Sequence, residues 1–149
     1  MLVDTHCHLH MLKPGGGYES LDDYLANARE NGVSRFLTVA VDGPSIAVID
    51  QLSRQYDDVY GAVGIHPNEA DCEITDELFA PIAENPKLVA IGETGLDFYR
   101  DNVPPEVQRE RFVTQIGLAR ELGKPLVVHV REAVDDTFAI LEAEKAAQA

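Results

Sequence analysis

Short apolar runs alternate along the chain with longer segments whose apolar residues recur every three or four positions. The runs are Leu2-Val3-Asp4, Phe36 to Val41, Val59 to Ile65, Leu88 to Gly92 and Pro125 to Val130. They are continuous rather than alternating, the pattern of parallel strands covered on both faces. Helical stripes lie between them. Leu21, Tyr24, Leu25 and Ala28 share a stripe within Ser20 to Asn31, and Ile46, Ile49 and Leu52 follow Pro44. Leu78, Phe79 and Ile82 fall within Thr75 to Glu84, and Phe112, Ile116 and Ala119 within Glu106 to Leu122. A fifth helix, rich in Ala and Glu, is predicted from Glu132 to Ala149. Ser20 with Asp23 resembles a capping box, and Gly32, Gly123 and Pro125 are stop signals.

Strict alternation of strand and helix means an α/β fold. The choice lies between an open doubly wound sheet and a (β/α)8 barrel of the TIM type. No Gly-rich phosphate loop follows the first strand, as a dinucleotide-binding sheet would require. Polar residues gather instead at the ends of several strands, which suits a barrel. A complete barrel takes about 250 residues, so five units in 149 residues leave about three unaccounted for. The expectation is a single, incomplete TIM-barrel domain over residues 1–149, holding the first five βα units. A natural five-stranded open sheet is the alternative.

Composition narrows the function. Hydrophobic residues make up 45%, so the chain is globular. A net charge of −14 counts against a protein that coats DNA through its overall field. It is compatible with an enzyme whose bound cations supply local positive charge. No apolar run approaches the roughly 18 residues of a membrane span, and the N-terminus does not read as a signal peptide, so a cytoplasmic location is expected. Cys7 and Cys72 are too few for a disulfide framework and read as packed thiols.

All five histidines lie at or just past predicted strand ends: His6, His8 and His10, then His66, then His129. Glu93 and Asp97 follow the fourth strand. In a parallel α/β fold those ends share one face, which holds the active site. His6 and His8, two apart on a strand, point the same way and can reach one metal ion. Adding Glu93 and His129 gives nitrogen and oxygen donors without thiolate, a set for Zn²⁺, Mn²⁺ or a Mg²⁺-supported site. Glu93 has two oxygens and so can bridge two ions. Asp97 either orients a ligand, pairs with Arg131 or caps the loop after the strand. His66 and Arg131 are candidate phosphate contacts, Arg100 a weaker one. His10 carries no weight as a ligand. The chain has no nucleophile elbow, P-loop or Cys/His catalytic pair.

Several stretches together closely resemble the TatD family of metal-dependent deoxyribonucleases. They are Asp4-Thr5-His6-Cys7-His8-Leu9, Gly64-Ile65-His66-Pro67, and Gly92-Glu93-Thr94-Gly95-Leu96-Asp97-Phe98-Tyr99. Gln108 through Phe112 with Gln115, and Pro125 through Ala133, complete them. The resemblance implies a TIM-barrel hydrolase that cleaves phosphodiester bonds of DNA, from an end, through a two-metal-activated water. It implies that His6 and His8 hold one divalent ion, that catalytic Glu93 bridges, that His129 holds the other, and that His66 contacts substrate. The family's further His and late Asp have no counterpart and are expected beyond Ala149. His10 stands where the family usually carries Asp. Two other readings remain: a metallohydrolase of small esters, lactones or amides, and a catalytically inactive truncated chain. Open barrel edges would favour self-association.

Overall fold

The computed structural model describes residues 1–100 and 102–148. Five strands, β1 (Leu2–Cys7), β2 (Val33–Val39), β3 (Val59–Val63), β4 (Leu88–Asp97) and β5 (Leu126–Arg131), form one sheet in the order β1-β2-β3-β4-β5. All four pairings are parallel. The helices are α1 (Leu21–Glu30), α2 (Gly43–Gln55), α3 (Asp76–Phe79), α4 (Pro81–Glu84), α5 (Pro105–Leu122) and α6 (Val134–Ala143). Short 3-10 turns occupy Leu9–Met11 and Ala146–Gln148. Among the described residues no helix is long and apolar enough to cross a membrane.

The sheet curls. In a flat sheet β1 and β4 would lie three strand spacings apart, about 14 Å. Yet His6 Nε2, on β1, is 3.3 Å from Glu93 Oε2, on β4. Alternate residues of each strand therefore meet different cores. Val63, Ile65, Leu88 and Ile91 pack outward against Ile46, Ile49, Phe79, Ile82 and Ala119 of the helices. Val39, Ala62 and Ala90 form a separate buried group with Leu37 and Val127. This half-barrel, with helices outside, has the architecture of a TIM-type barrel over five of its units.

Helix ends follow the sequence signals. Ser20 Oγ accepts from Asp23 N, and Asp23 Oδ2 accepts from Ser20 N, closing the capping box of α1. Gly123 takes φ 60 to end α5. Several boundaries differ from expectation: β1 runs on from Asp4 to Cys7 and so includes His6, and β2 begins at Val33 rather than Phe36. The segment from Thr75 to Glu84 is two helices, because Pro81 has no N–H to continue the first. The tail helix starts at Val134 and ends at Ala143, with Glu132 and Lys145 both at φ 52. Ala149, placed in that helix by its composition, lies outside the described residues. The difference that matters most for the site is β4, which runs on through Glu93 to Asp97. Its second half is too polar and glycine-rich to read as an apolar run, but its backbone pairs with β5 as far as Asp97 opposite Arg131.

Candidate metal centre

Two register breaks shape the site. On β1, Asp4 pairs with Phe36 and Cys7 with Thr38, three steps against two. On β4, Gly92 pairs with Val127 and Thr94 with Val128, so Glu93 is the extra residue. A bulge bends its strand and re-aims a side chain. Here it accompanies the turning of the Glu93 carboxylate toward the histidines of β1 and β5. Gly95, at φ 138, lies opposite His129, and a Cβ there would run into the His129 carbonyl oxygen. Only glycine lets β5 approach this closely.

The Glu93 side chain is the meeting point. Its Oε2 lies 3.3 Å from His6 Nε2 and 3.8 Å from His8 Nε2. Its Oε1 lies 3.0 Å from His129 Nδ1, which in turn is 3.2 Å from His66 Nε2. The two oxygens thus face two separate groups, His6 with His8 and His66 with His129. In each group the donor atoms lie within 4.8 Å of one another.

The outer partners decide which nitrogens carry protons. His8 Nδ1 is 2.8 Å from the Val39 carbonyl oxygen, which only accepts, so Nδ1 donates and Nε2 turns a lone pair toward Glu93. His129 Nε2 donates to Asp97 Oδ2 at 3.1 Å, which leaves Nδ1 as the group facing Glu93. His66 Nδ1 accepts from Asn68 N at 3.1 Å, so neutral His66 carries its proton on Nε2. His129 meets carboxylates on both sides, so its Nδ1 either donates a second proton to Glu93 or turns a lone pair to a cation there, and a buried carboxylate ringed in this way by imidazoles calls for positive charge. Carboxylate or carbonyl partners on the far nitrogens of His8 and His129 are the arrangement that orients metal-binding imidazoles. The residues present therefore fit a divalent cation between His6, His8 and Glu93 and another between Glu93 and His129, with His66 beside the second as a proton donor rather than a ligand.

The electrostatics agree. Burial pushes the Glu93 carboxyl up, but the His129 hydrogen bond and the charges of His6, His66 and His129 outweigh it and hold it below its ordinary value. Burial likewise raises Asp97, and hydrogen bonds from Asn68, Arg100 N and His129 overcome it, again leaving the carboxyl lowered. His129 is raised, chiefly by its hydrogen bond to Glu93. His66 falls to about 4 through burial and then the charge of His129.

The structure thus gathers His6, His8, Glu93, His129, His66 and Asp97. It does not pair Asp97 with Arg131. The Asp97 carboxylate is saturated by Asn68 Nδ2 at 2.6 Å, His129 and two backbone N–H groups, while the Arg131 guanidinium lies 3.9 Å over the Tyr99 ring at the rim. Arg100 is exposed. His10 sits in the turn after β1, its two ring nitrogens buried without a hydrogen-bond partner. Asn68 was not singled out in the sequence, yet it touches both His66 and Asp97. Its signal was its place directly after His66-Pro67 at a strand end.

The sequence profile described as TatD related DNase matches residues 3–149. The chain belongs to the TatD family. It is 38% identical over 150 residues to a TatD relative from Bacillus subtilis named "Uncharacterized metal-dependent hydrolase YabD", covering 98% of this chain and 57% of that protein. It is 35% identical over 123 residues to the "3'-5' ssDNA/RNA exonuclease TatD" of Shigella flexneri, covering 81% of this chain and 47% of that one. The crystal structure of YJJV, a TatD homologue from Escherichia coli, superposes with a TM-score of 0.82 at 25% identity, over 97% of this chain and 56% of that one. The chain spans about half the length of the curated relatives it matches.

Proposed function

We propose that this protein is a metal-dependent phosphodiesterase of the TatD type that cleaves DNA, working from an end, with two divalent ions (Zn²⁺, Mn²⁺ or Mg²⁺) at the centre. The observation that carries the reading is the division of Glu93: one oxygen toward His6 and His8, the other toward His129. His6 and His8 would hold one ion, His129 the other, and Glu93 both. Ions held there lower the pKa of water and offset charge on phosphate oxygens. The chain's own residues do the rest. Asp97 fixes the ring of His129 by accepting from its Nε2. His66, neutral near pH 7, presents its Nε2 proton to a phosphate oxygen. Arg131 stands two residues beyond His129 on the same face of β5 and binds a neighbouring phosphate, and the 59% exposed Tyr99 beneath it offers a ring for a base. In a chain of net charge −14, such local groups must draw in a polyanion.

The same charge favours a second reading, hydrolysis of a small ester, lactone or amide. A single-stranded oligonucleotide and simple nitrophenyl esters, each assayed with Mn²⁺, separate the two. Oligonucleotide shortening that Arg131→Ala weakens supports the nuclease. Turnover of the esters alone would overturn it.

A further inference from the structure

Helix α5 presents Gln108, Arg111 and Gln115 at positions i, i+3 and i+7, hence on one face. Gln108 is 1% exposed and Gln115 0%. A buried amide needs partners for both its N–H and its oxygen. Each finds them by pairing with the backbone of one residue at a strand end. Gln115 Oε1 accepts from Ile65 N at 2.8 Å, and its Nε2 donates to Ile65 O at 3.1 Å. Gln108 Oε1 accepts from Asp97 N at 2.8 Å, and its Nε2 donates to Asp97 O at 3.0 Å. Between them the Arg111 guanidinium donates to the carbonyls of Glu69 and Cys72, in the loop that follows His66. One helix therefore grips the backbone just before His66, just after it, and at Asp97. His6 and His8 are held separately, His8 through the Val39 carbonyl of β2.

We infer that Gln108, Arg111 and Gln115 are positioning residues that set the His66–His129–Asp97 half of the centre independently of the His6–His8 half. This rests on the metal-hydrolase reading above and assigns a task to the polar stripe of α5. The face could have been sealed by leucines if it only had to pack. Peptide-like clamps fix the strand ends in register as well as in distance.

The test uses the full chain, free of metal, in two variants. Gln115→Met removes one clamp while nearly keeping its volume. Arg111→Lys keeps the charge, removes the fork, and sits at a partly exposed position where folding is not at risk. Histidine side-chain ¹⁵N spectra are recorded for each, with Zn²⁺ affinity by calorimetry. The ring signals of His66 and His129 should shift while those of His6 and His8 stay in place, and one of two Zn²⁺ binding steps should lose roughly 10- to 100-fold in affinity while the other holds. Histidine signals that stay at their original positions while only the melting temperature falls would overturn the inference. So would all five histidines shifting together in Arg111→Lys. If Gln115→Met does not fold, Arg111→Lys decides alone. The spectra need no substrate, so a failure of the hydrolase reading would show separately, as absent turnover with the histidine pattern intact.

Discussion

Glu93 is only 8% exposed, and a carboxylate so buried is costly unless positive charge meets it. Three imidazoles within 4 Å of its oxygens offer either protons or a place for cations. Cys7, between His6 and His8, takes no part. Burial, and then the charge of Asp4, pushes its thiol up to about 12, and its Sγ donates to the Leu37 carbonyl at 3.3 Å. The tightest steric demand falls on Gly95, whose φ of 138 and contact with the His129 carbonyl leave no room for a methyl group. Gly95→Ala is expected to destabilise by roughly 2–4 kcal/mol, from backbone strain and from parting β4 and β5. Urea unfolding measures it, and a loss below about 0.5 kcal/mol, the scale of an ordinary surface change, would show that the approach is not tight.

At the scale of elements, α1 is tied to the loop before β3 by a two-pronged contact, Arg29 Nε to Asp58 Oδ2 at 2.7 Å and Nη2 to Asp58 Oδ1 at 2.8 Å. The Arg29 hydrogen bonds hold the Asp58 carboxyl below its ordinary value. A depressed folded-state pKa means that the pair stabilises fully above the unfolded value and loses its effect as pH falls through the folded one. Asp58→Asn should therefore cost up to about 1 kcal/mol at pH 7 and progressively less below about pH 4. Thermal melting across that range checks it, and an equal loss at pH 7 and pH 2 would contradict the assignment.

Elements also show what the sequence could and could not disclose. The capping of α1 by Ser20 and the stop at Gly123 were readable, because each depends on neighbours in the chain. The gathering of histidines at strand ends was readable for the same reason, since direction along a parallel strand fixes which end is which. The bulge at Glu93 was not. It is a property of the pairing between β4 and β5, and nothing local marks the skipped residue. The length of β4 was hidden because Thr94 and the glycines are held by backbone pairing rather than by hydrophobicity. The alternatives for Asp97 could not be decided from the sequence, because Arg131, directly opposite in register, turns to Tyr99 while Asn68 arrives from the next loop and His129 from β5.

At the scale of the whole molecule, the sheet leaves one side of β1 and one side of β5 unpaired among the described residues. Leu2 and Val3 are exposed on the first, and Val130, Val134 and Phe138 on or beside the second. Such edges recruit further strands. The net charge of −14 opposes close approach of two copies, and salt screens that repulsion. Sedimentation at rising protein and salt concentration is expected to show self-association that salt strengthens. A monomer under all conditions would mean that these edges are protected.

In the proposed centre, Glu93 is shared between two cation positions. Elemental analysis of the purified chain after exposure to Zn²⁺ or Mn²⁺ and removal of the free ion, compared with Glu93→Ala, tests it most directly. The expected result is about two ions per chain, lost together in the variant because both positions use the same carboxylate. Bound metal that survives in Glu93→Ala, or none bound by the unaltered chain, would contradict it.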